Sequence, residues 1–437
     1  MKYRNLGKSL VAGLAITTSG SAIAAGSAVE ELLKALYQNG TIDKATYELV
    51  QQAAKAEDAQ NREQIREISV AESKKVAGDV VAKVKASKPD VKLGGRIQLD
   101  AGSVSEDNMD HNSGTEIRRA RLFAKGDLHK DWGFKLQYDF VSKGDNTNGI
   151  QDAYLDYKPL KIRIGHAKEP FSLQNMTSSK YTTFIERGLP HVFAEGRNIG
   201  IQTVRNGENW MIAGGIFGDG RDGSEGGENN EGWGAAARAT IAPIHADGET
   251  LHLGTSLSYR NIGGDHTLQF KERPEAHITD TEIVDTTTFD ANSVTRGVLE
   301  AAYINGPFHV QGEYYRTSVE RQLAGRKDVT FSGYYAEAGL FLTNDTVNYK
   351  ASKGSYSKVT PSGENGAWQI AARFSSLDLT DEDINGGTAE SLTFGLNWFA
   401  TSNIRFSANY VNVLDVDGGP TAGDEPSAFT FRSQVEF

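Results

Sequence analysis

The residues best placed to do chemistry in this chain are cations that recur at every second position. Arg119 and Arg121 stand two apart, and Lys125 follows four further on, while Ala120, Leu122 and Ala124 would point the other way. Arg96, Lys135, Lys161 and Arg163 fall on the same side of neighbouring segments, with Asp100, Asp139, Asp152 and Asp156 among them. A guanidinium is permanently charged and offers several donors to an oxyanion. Lining a narrow, partly dehydrated passage, such a cluster lowers the barrier for anions. The same residues could instead brace a wall as Arg–Asp pairs, and both readings stay open at this point.

Other chemistries find little support. The chain has no cysteine, which removes disulfides, thiolate metal sites and cysteine nucleophiles. Its nine histidines form no H-E-x-x-H or close pair, and no Ser/His/acid set can be assembled, so a barrel enzyme such as a lipase is not expected. The carboxylates of Gly218–Gly227 match no defined calcium-site spacing, so a flexible loop is preferred to a metal site. No cofactor is implied. A net charge of -11 argues against nucleic acid as a partner.

What positions the cations is a change of period. From Val91 onward apolar and polar residues alternate, without exception in Phe134–Phe140 and again in Leu251–Arg260, Leu392–Trp398 and Ile404–Tyr410. About sixteen such segments can be counted, each roughly 9 to 11 residues, enough to cross a bilayer at the usual tilt. A mean hydropathy of -0.46 agrees with this, because a barrel shows lipid only every second residue. Short connections (Lys130-Asp131, Lys158-Pro159, Asn206–Glu208, Ile304–Pro307, Thr401–Asn403) alternate with long polar ones. The long ones are Ser103–Gly114, Lys168–Gly196, Gly218–Glu231, Asn261–Val294, Thr317–Asp328, Ser376–Glu390 and Asp415–Pro426. Thr343–Gly366 breaks the rule, being long where parity demands a short turn. Trp132, Trp210, Trp233, Trp368, Tyr157 and Phe217 lie near strand ends, as interfacial girdles require. The alternating terminal segment Ser427–Phe437 ends on Phe, the form expected for barrel-assembly machinery.

Upstream, Lys2, Arg4 and Lys8 precede the apolar run Leu10–Ile16, and Ala22-Ile23-Ala24 has the A-x-A form of a secretory signal. Residues 25–90 favour helix, and Ile65, Ile68, Val76, Val80 and Val84 hint at a coiled coil without an unbroken heptad. A solvated helix and a trimeric stalk are both compatible with that. The expected organisation is a signal peptide at 1–24, a periplasmic helical segment at 25–90 and a barrel at 91–437. The fold class is all-β: a transmembrane antiparallel barrel of about sixteen strands in the outer membrane of a Gram-negative bacterium, embedded in its lipid.

Several stretches resemble the phosphate-selective porin O and P family: Lys92–Asp100, Ile117–Leu122, Asp131–Phe140, Asp152–Tyr157, Thr177–Lys180, Glu186–Gly188, Gly200–Gln202 and Leu396–Trp398. The resemblance implies a homotrimer of sixteen-stranded barrels whose third loop folds inward to narrow each pore. By matching position, Arg96, Arg119 and Arg187 resemble the family's pore arginines, with Arg121 beside them, and Asp152 resembles the acidic residue at its anion site. Asn175, Lys180 and Arg187 would belong to the constriction loop. The chain departs from the pattern where Gly133 and Asn175 replace lysines. It departs again in the fifth loop, where Lys271 and Arg273 are opposed by Glu272 and Glu275, followed by Asp280, Glu282, Asp285 and Asp290. Those loop carboxylates are expected to be solvated and screened. The expected function is passive diffusion of small hydrophilic solutes through a water-filled pore with modest preference for anions, phosphate among them. A tether or adhesin anchored by the barrel is the alternative. A gated transporter would need a plug and about 22 strands, too many for this chain.

Overall fold

A computed structural model of the 437-residue chain describes residues 31, 33–87, 90–141, 149–218, 231–264 and 266–437. The signal peptide expected at 1–24 and the calcium alternative at 219–227 fall outside them. The chain divides into two units at Lys88/Pro89.

The first unit is helical. A turn at Asn39 and Gly40 (φ +71°) ends a short helix over 33–38, and the Asp43 carboxylate caps the next by accepting from Thr46 N–H at 2.9 Å. Tyr37 and Tyr47 stack across this corner at 4.9 Å. The long helix α1 spans Lys44–Ser87 and leaves Leu49, Ile65, Ile68 and Val76 more than half exposed.

The second unit is a closed barrel of sixteen antiparallel strands in sequence order. They are β1 Asp90–Val104, β2 Gly114–His129, β3 Trp132–Asp139, β4 Ile150–Tyr157, β5 Ile162–Lys168, β6 Arg197–Asn206, β7 Trp210–Gly218 and β8 Trp233–Ala246. There follow β9 Glu249–Asn261, β10 Ser293–Asn305, β11 Phe308–Glu320, β12 Val329–Phe341, β13 Ala367–Asp381, β14 Ile384–Phe399, β15 Ile404–Asp417 and β16 Ser427–Glu436. β1 pairs with both β2 and β16, so no edge is left in the hydrocarbon, where unpaired backbone groups could not be tolerated. The seam runs to the last residue, with Gly95 N–H donating to Phe437 O at 2.8 Å and Phe437 N–H to Gly95 O at 3.2 Å.

Alternation decides the faces. Leu93, Leu136, Ile164, Ile212, Leu257, Leu299 and Phe394 are exposed on the outside, while Gln98, Arg119, Asp139, Arg238, Glu313 and Arg432 are buried on the inside. Trp368, Trp398, Phe406 and Phe431 stack in turn across neighbouring strands at 5.4–6.2 Å, forming part of an aromatic belt. Phe217 is not part of any belt. It is 2% exposed and faces inward, because the period of β7 places it opposite to Ile216.

Two further expectations fail. Ser376–Glu390 is not a long loop, since β13 and β14 run through it and reverse at Glu382 (φ +52°) and Asp383. Lys161 is not on a strand wall; it occupies the left-handed C-cap (φ 51°) of the tight turn after β4.

Among the described residues, loops three and five fold into or across the lumen, as does the connection of residues 342–366. Loop three, between β5 and β6, carries a short helix at Leu173–Met176. Loop five, between β9 and β10, forms a ribbon from the pairs Thr267–Leu268 with Phe289–Asp290 and Lys271–Glu272 with Val284–Asp285. Its tip reaches the far side of the barrel, where His277 meets Glu116 of β2 at 2.8 Å and Thr279 meets His111 at 3.2 Å. Phe171, Leu189 and Phe193 of loop three and Phe270, Ile283 and Phe289 of loop five pack with Val298, Phe331, Leu377 and Val413 of the wall into one apolar core. This side of the lumen, along β10 to β15, is therefore filled. The inner face of β1 to β6 keeps partly or fully exposed charged side chains, among them Arg121, Lys125, Lys135, Arg163 and Arg197.

Candidate functional site

Loop three is held by the wall, and most of its ties are charged groups bonded to its backbone. Glu313 of β11 accepts from Leu173 N–H at 2.7 Å and Gln174 N–H at 3.0 Å. Further along, Arg405 of β15 donates to Thr182 O and Thr183 O, both at 2.7 Å, Arg432 of β16 to Ile185 O at 2.7 Å, and Arg373 of β13 to Glu186 O at 3.0 Å. Gln98 of β1 reaches Ser179 O at 3.2 Å. The loop thus runs inside the barrel from β5, past β11, to β16 and β1. Buried carbonyls need donors, and arginine supplies several from one head group.

Glu186 is the electrostatic centre of this arrangement. It takes a two-pronged bond from Arg118 (2.9 and 3.1 Å), another from Arg432 (2.8 Å), and lies 3.9 Å from Arg119. Burial pushes its carboxyl up, but Arg118, Arg119 and Arg432 together hold it well below the ordinary range, so it stays ionised. Arg118 was assigned no role by strict alternation. A β-bulge between Gln98 and Leu99 leaves it opposite no partner, and both Arg118 and Arg119 turn inward.

The remaining candidates sort by whether a carboxylate answers them. Arg121 pairs with Asp139 at 2.5 Å. Asp152 is shared by Lys135 at 2.5 Å and Arg197 at 3.0 Å. Arg119 also donates to Gln98 at 3.1 Å. Lys180 is paired with Glu436, which accepts as well from Tyr181 at 3.1 Å. Asn175 faces no passage: it is 5% exposed and ties the limbs of loop three by donating to Glu195 O at 2.8 Å.

Four cations at loop three, Arg405 among them, have no carboxylate within 4.0 Å among the described residues. Arg96 donates to Ser178 Oγ at 3.1 Å and leaves its Nε without a partner. Arg187 bonds Gln174 O at 3.0 Å and Thr177 O at 3.2 Å. Lys168 bonds Asn175 O. Burial lowers Arg187 to about 10, with Arg197 and Arg118 adding repulsion against the pull of Glu186, and it remains protonated at neutral pH. The same cations, Arg187 and Lys168 foremost, add to burial in holding His191 of loop three well below its ordinary value, hence neutral. Lys168 escapes sequence reasoning because it ends β5 where the chain turns inward, so alternation does not decide its side.

The fifth loop differs from the expectation of solvated carboxylates. Glu275 is 6% exposed and is bound inside the lumen by Arg373, Ser375 and Thr393 at 2.6 Å for the last, and by Leu189 N–H at 3.2 Å. Burial, with Glu275 and Glu186 nearby, raises Glu272 to about 8. Asp290 is engaged by Arg321 at 2.6 Å, Glu282 by Lys271 at 3.1 Å and Asp280 by Arg273 at 3.3 Å. Four of these acids are thus matched, by Lys271 and Arg273 of the loop itself and by Arg321 and Arg373 beyond it, which weakens the negative field at the mouth.

A closed sixteen-stranded barrel with a charged inner wall and a loop threaded through its lumen is an outer-membrane channel of a Gram-negative bacterium, and its fold and family point away from an enzyme. The chain belongs to the phosphate-selective porin O and P family, whose sequence model matches residues 91–437. Relatives include Porin O of Pseudomonas aeruginosa, 25% identical over 79% of this chain and 88% of its own length. An uncharacterised protein of Caulobacter vibrioides is 32% identical over 75% of this chain and 69% of its own. Among solved structures, the barrel resembles the outer-membrane channel DcaP of Acinetobacter baumannii (TM-score 0.52, 11% identity, 80% of this chain and 97% of that one). It also resembles OmpT of Vibrio cholerae (TM-score 0.52, 9% identity, 79% and 97%).

Proposed function

We propose that the protein is a diffusion porin for small hydrophilic solutes with a modest preference for anions, phosphate among them, and without high-affinity phosphate binding. The observation that carries this is the uncompensated pair Arg96 and Arg187, set against a lumen whose other arginines are mostly answered by carboxylates. Unpaired positive charge beside a low-dielectric wall attracts anions across the whole approach, whereas paired charges cancel beyond a few ångströms. Arg119 and Arg121 contribute polarity and shape the wall, and Asp152 offsets one of the two charges of Lys135 and Arg197. The absence of the family's lysines at Gly133 and Asn175 supports the lack of a tight phosphate site.

The same reading takes residues 1–24 as an export signal and 25–90 as a periplasmic segment, and places the rim bearing both barrel termini on the periplasmic side. It takes the terminal strand ending at Phe437 as the mark read by barrel-assembly machinery and the working form as a homotrimer, supported by the trimer form of OmpT of Vibrio cholerae (TM-score 0.50). The exposed Leu49, Ile65, Ile68 and Val76 of α1 support packing of three such helices as a coiled coil, which would tether the barrel without altering its pore. A phosphate titration of the chloride current through single channels tests the function. A shallow, high-concentration inhibition is expected; block at micromolar phosphate would refute the absence of a tight site.

A further inference from the structure

The connection between β12 and β13, residues 342–366, leaves the rim that carries both barrel termini, yet it folds into the lumen. Arg238 of β8 donates to Gly354 O at 2.6 Å and Lys353 O at 3.4 Å, and the Tyr349 hydroxyl meets His252 Nδ1 of β9 at 2.5 Å. From the ribbon Asn348–Lys350 with Ser355–Ser357, Tyr356 N–H donates to Thr177 Oγ1 of loop three at 3.4 Å. Loop three is thus met from the opposite side, and a cleft of about 480 Å³ lies between the two.

The lining of this cleft is amphipathic. Met176 and Tyr181 of loop three face Tyr349 and Tyr356 of the ribbon, and Lys350 and Lys353 stand at its side. Neither lysine has a carboxylate within 4.0 Å among the described residues, whereas Lys358 nearby is matched by Glu436 at 3.6 Å. Tyr356 is buried and packs edge-to-face on Tyr349 at 6.0 Å, which backs the aromatic wall of the cleft. The volume falls in the range of organic-ligand pockets, roughly 300–1,000 Å³, and aromatic walls with a thioether favour a flat apolar body over a bare inorganic ion.

We propose that this cleft is a binding site for an aromatic carboxylate, with its ring against Met176, Tyr181 and Tyr349 and its carboxylate on Lys350 and Lys353. The site rests on the channel reading above and adds a ligand class to it. The full-length protein in planar bilayers provides the test, with 4-hydroxybenzoate, benzoate or inorganic phosphate added on the periplasmic side and the current interruptions counted. 4-Hydroxybenzoate should block at a concentration about tenfold below that of phosphate, and Lys350→Gln with Lys353→Gln should raise its blocking concentration about tenfold, the loss of charge-assisted contacts. Benzoate should block at a concentration close to that of 4-hydroxybenzoate, because the ring and the carboxylate carry the contacts, and Met176→Ala should weaken block by both about threefold. The unblocked conductance of each variant reports whether its barrel has assembled. Equal block by phosphate and 4-hydroxybenzoate, or full block in assembled variants, overturns the site. Anion preference is read separately from the reversal potential, so a failure of that reading is distinguishable from a failure of this one.

Discussion

Replacing Arg96 by Gln should lower anion preference without disturbing the barrel, because the side chain gives loop three one hydrogen bond, to Ser178, and balances no carboxylate. A unit charge about 6 Å from a passing monovalent ion, in water of dielectric about 80, is worth about 0.7 kcal/mol, with opposite signs for anion and cation. Losing it therefore changes the anion-to-cation permeability ratio by about 1.4 kcal/mol, about tenfold in dilute salt. Screening over a Debye length of about 8 Å roughly halves that energy, leaving about a threefold change at physiological salt. The double change Arg121→Gln with Asp139→Asn removes a 2.5 Å ion pair and no net charge, so it serves as the control and should leave the ratio within about a factor of two. Reversal potentials of single channels in a salt gradient, at two ionic strengths, give both ratios. An unchanged ratio in an assembled Arg96→Gln channel, or an equal change in the control, would refute the reasoning.

Deleting Gln174–Ser179 removes a contact to Glu313 and both carbonyl acceptors of Arg187, and should raise single-channel conductance; normal assembly with unchanged conductance would show that the loop does not limit the passage. Glu272, with its carboxyl raised from 4.5 to about 8, keeps in the folded state a proton that the unfolded chain has released, so the stability it confers falls as pH rises across that window. Hydrogen exchange in loop five should accordingly quicken between those values in the parent protein and be flatter in Glu272→Gln. Removing Phe437 breaks the two backbone bonds to Gly95 that close the seam, at a cost of about 1–3 kcal/mol. The folded band on a detergent gel should then melt at lower temperature, and an unaltered band would count against that role.

The barrel was legible because one period governs every strand: lipid on one side and polar lumen on the other force alternation, as in Phe134–Phe140. What escaped depends on departures from that period or on contacts far apart in sequence. The bulge at Gln98/Leu99 put Arg118 beside Arg119 against Glu186, a residue 68 positions away. Ser376–Glu390 is polar enough to resemble a loop, yet its polar residues alternate across a hairpin with Leu377, Leu379 and Ile384 buried against the loop core. The sequence shows that Glu275 is acidic but not that Arg373, 98 positions on, would bind it inside the barrel. Arg96, Arg119 and Arg187 all lie at loop three, but only register and loop path separate the compensated Arg119 from the other two. The overlong Thr343–Gly366 was visible as an anomaly of parity, and its inward course answers why it is long.

The most direct measurement is the zero-current potential of the wild-type channel in a potassium chloride gradient across a planar bilayer. A potential displaced modestly toward the chloride equilibrium value is expected, with the displacement growing as salt is diluted. A potential displaced toward the potassium value would contradict the claim that Arg96 and Arg187 set the selectivity of the pore.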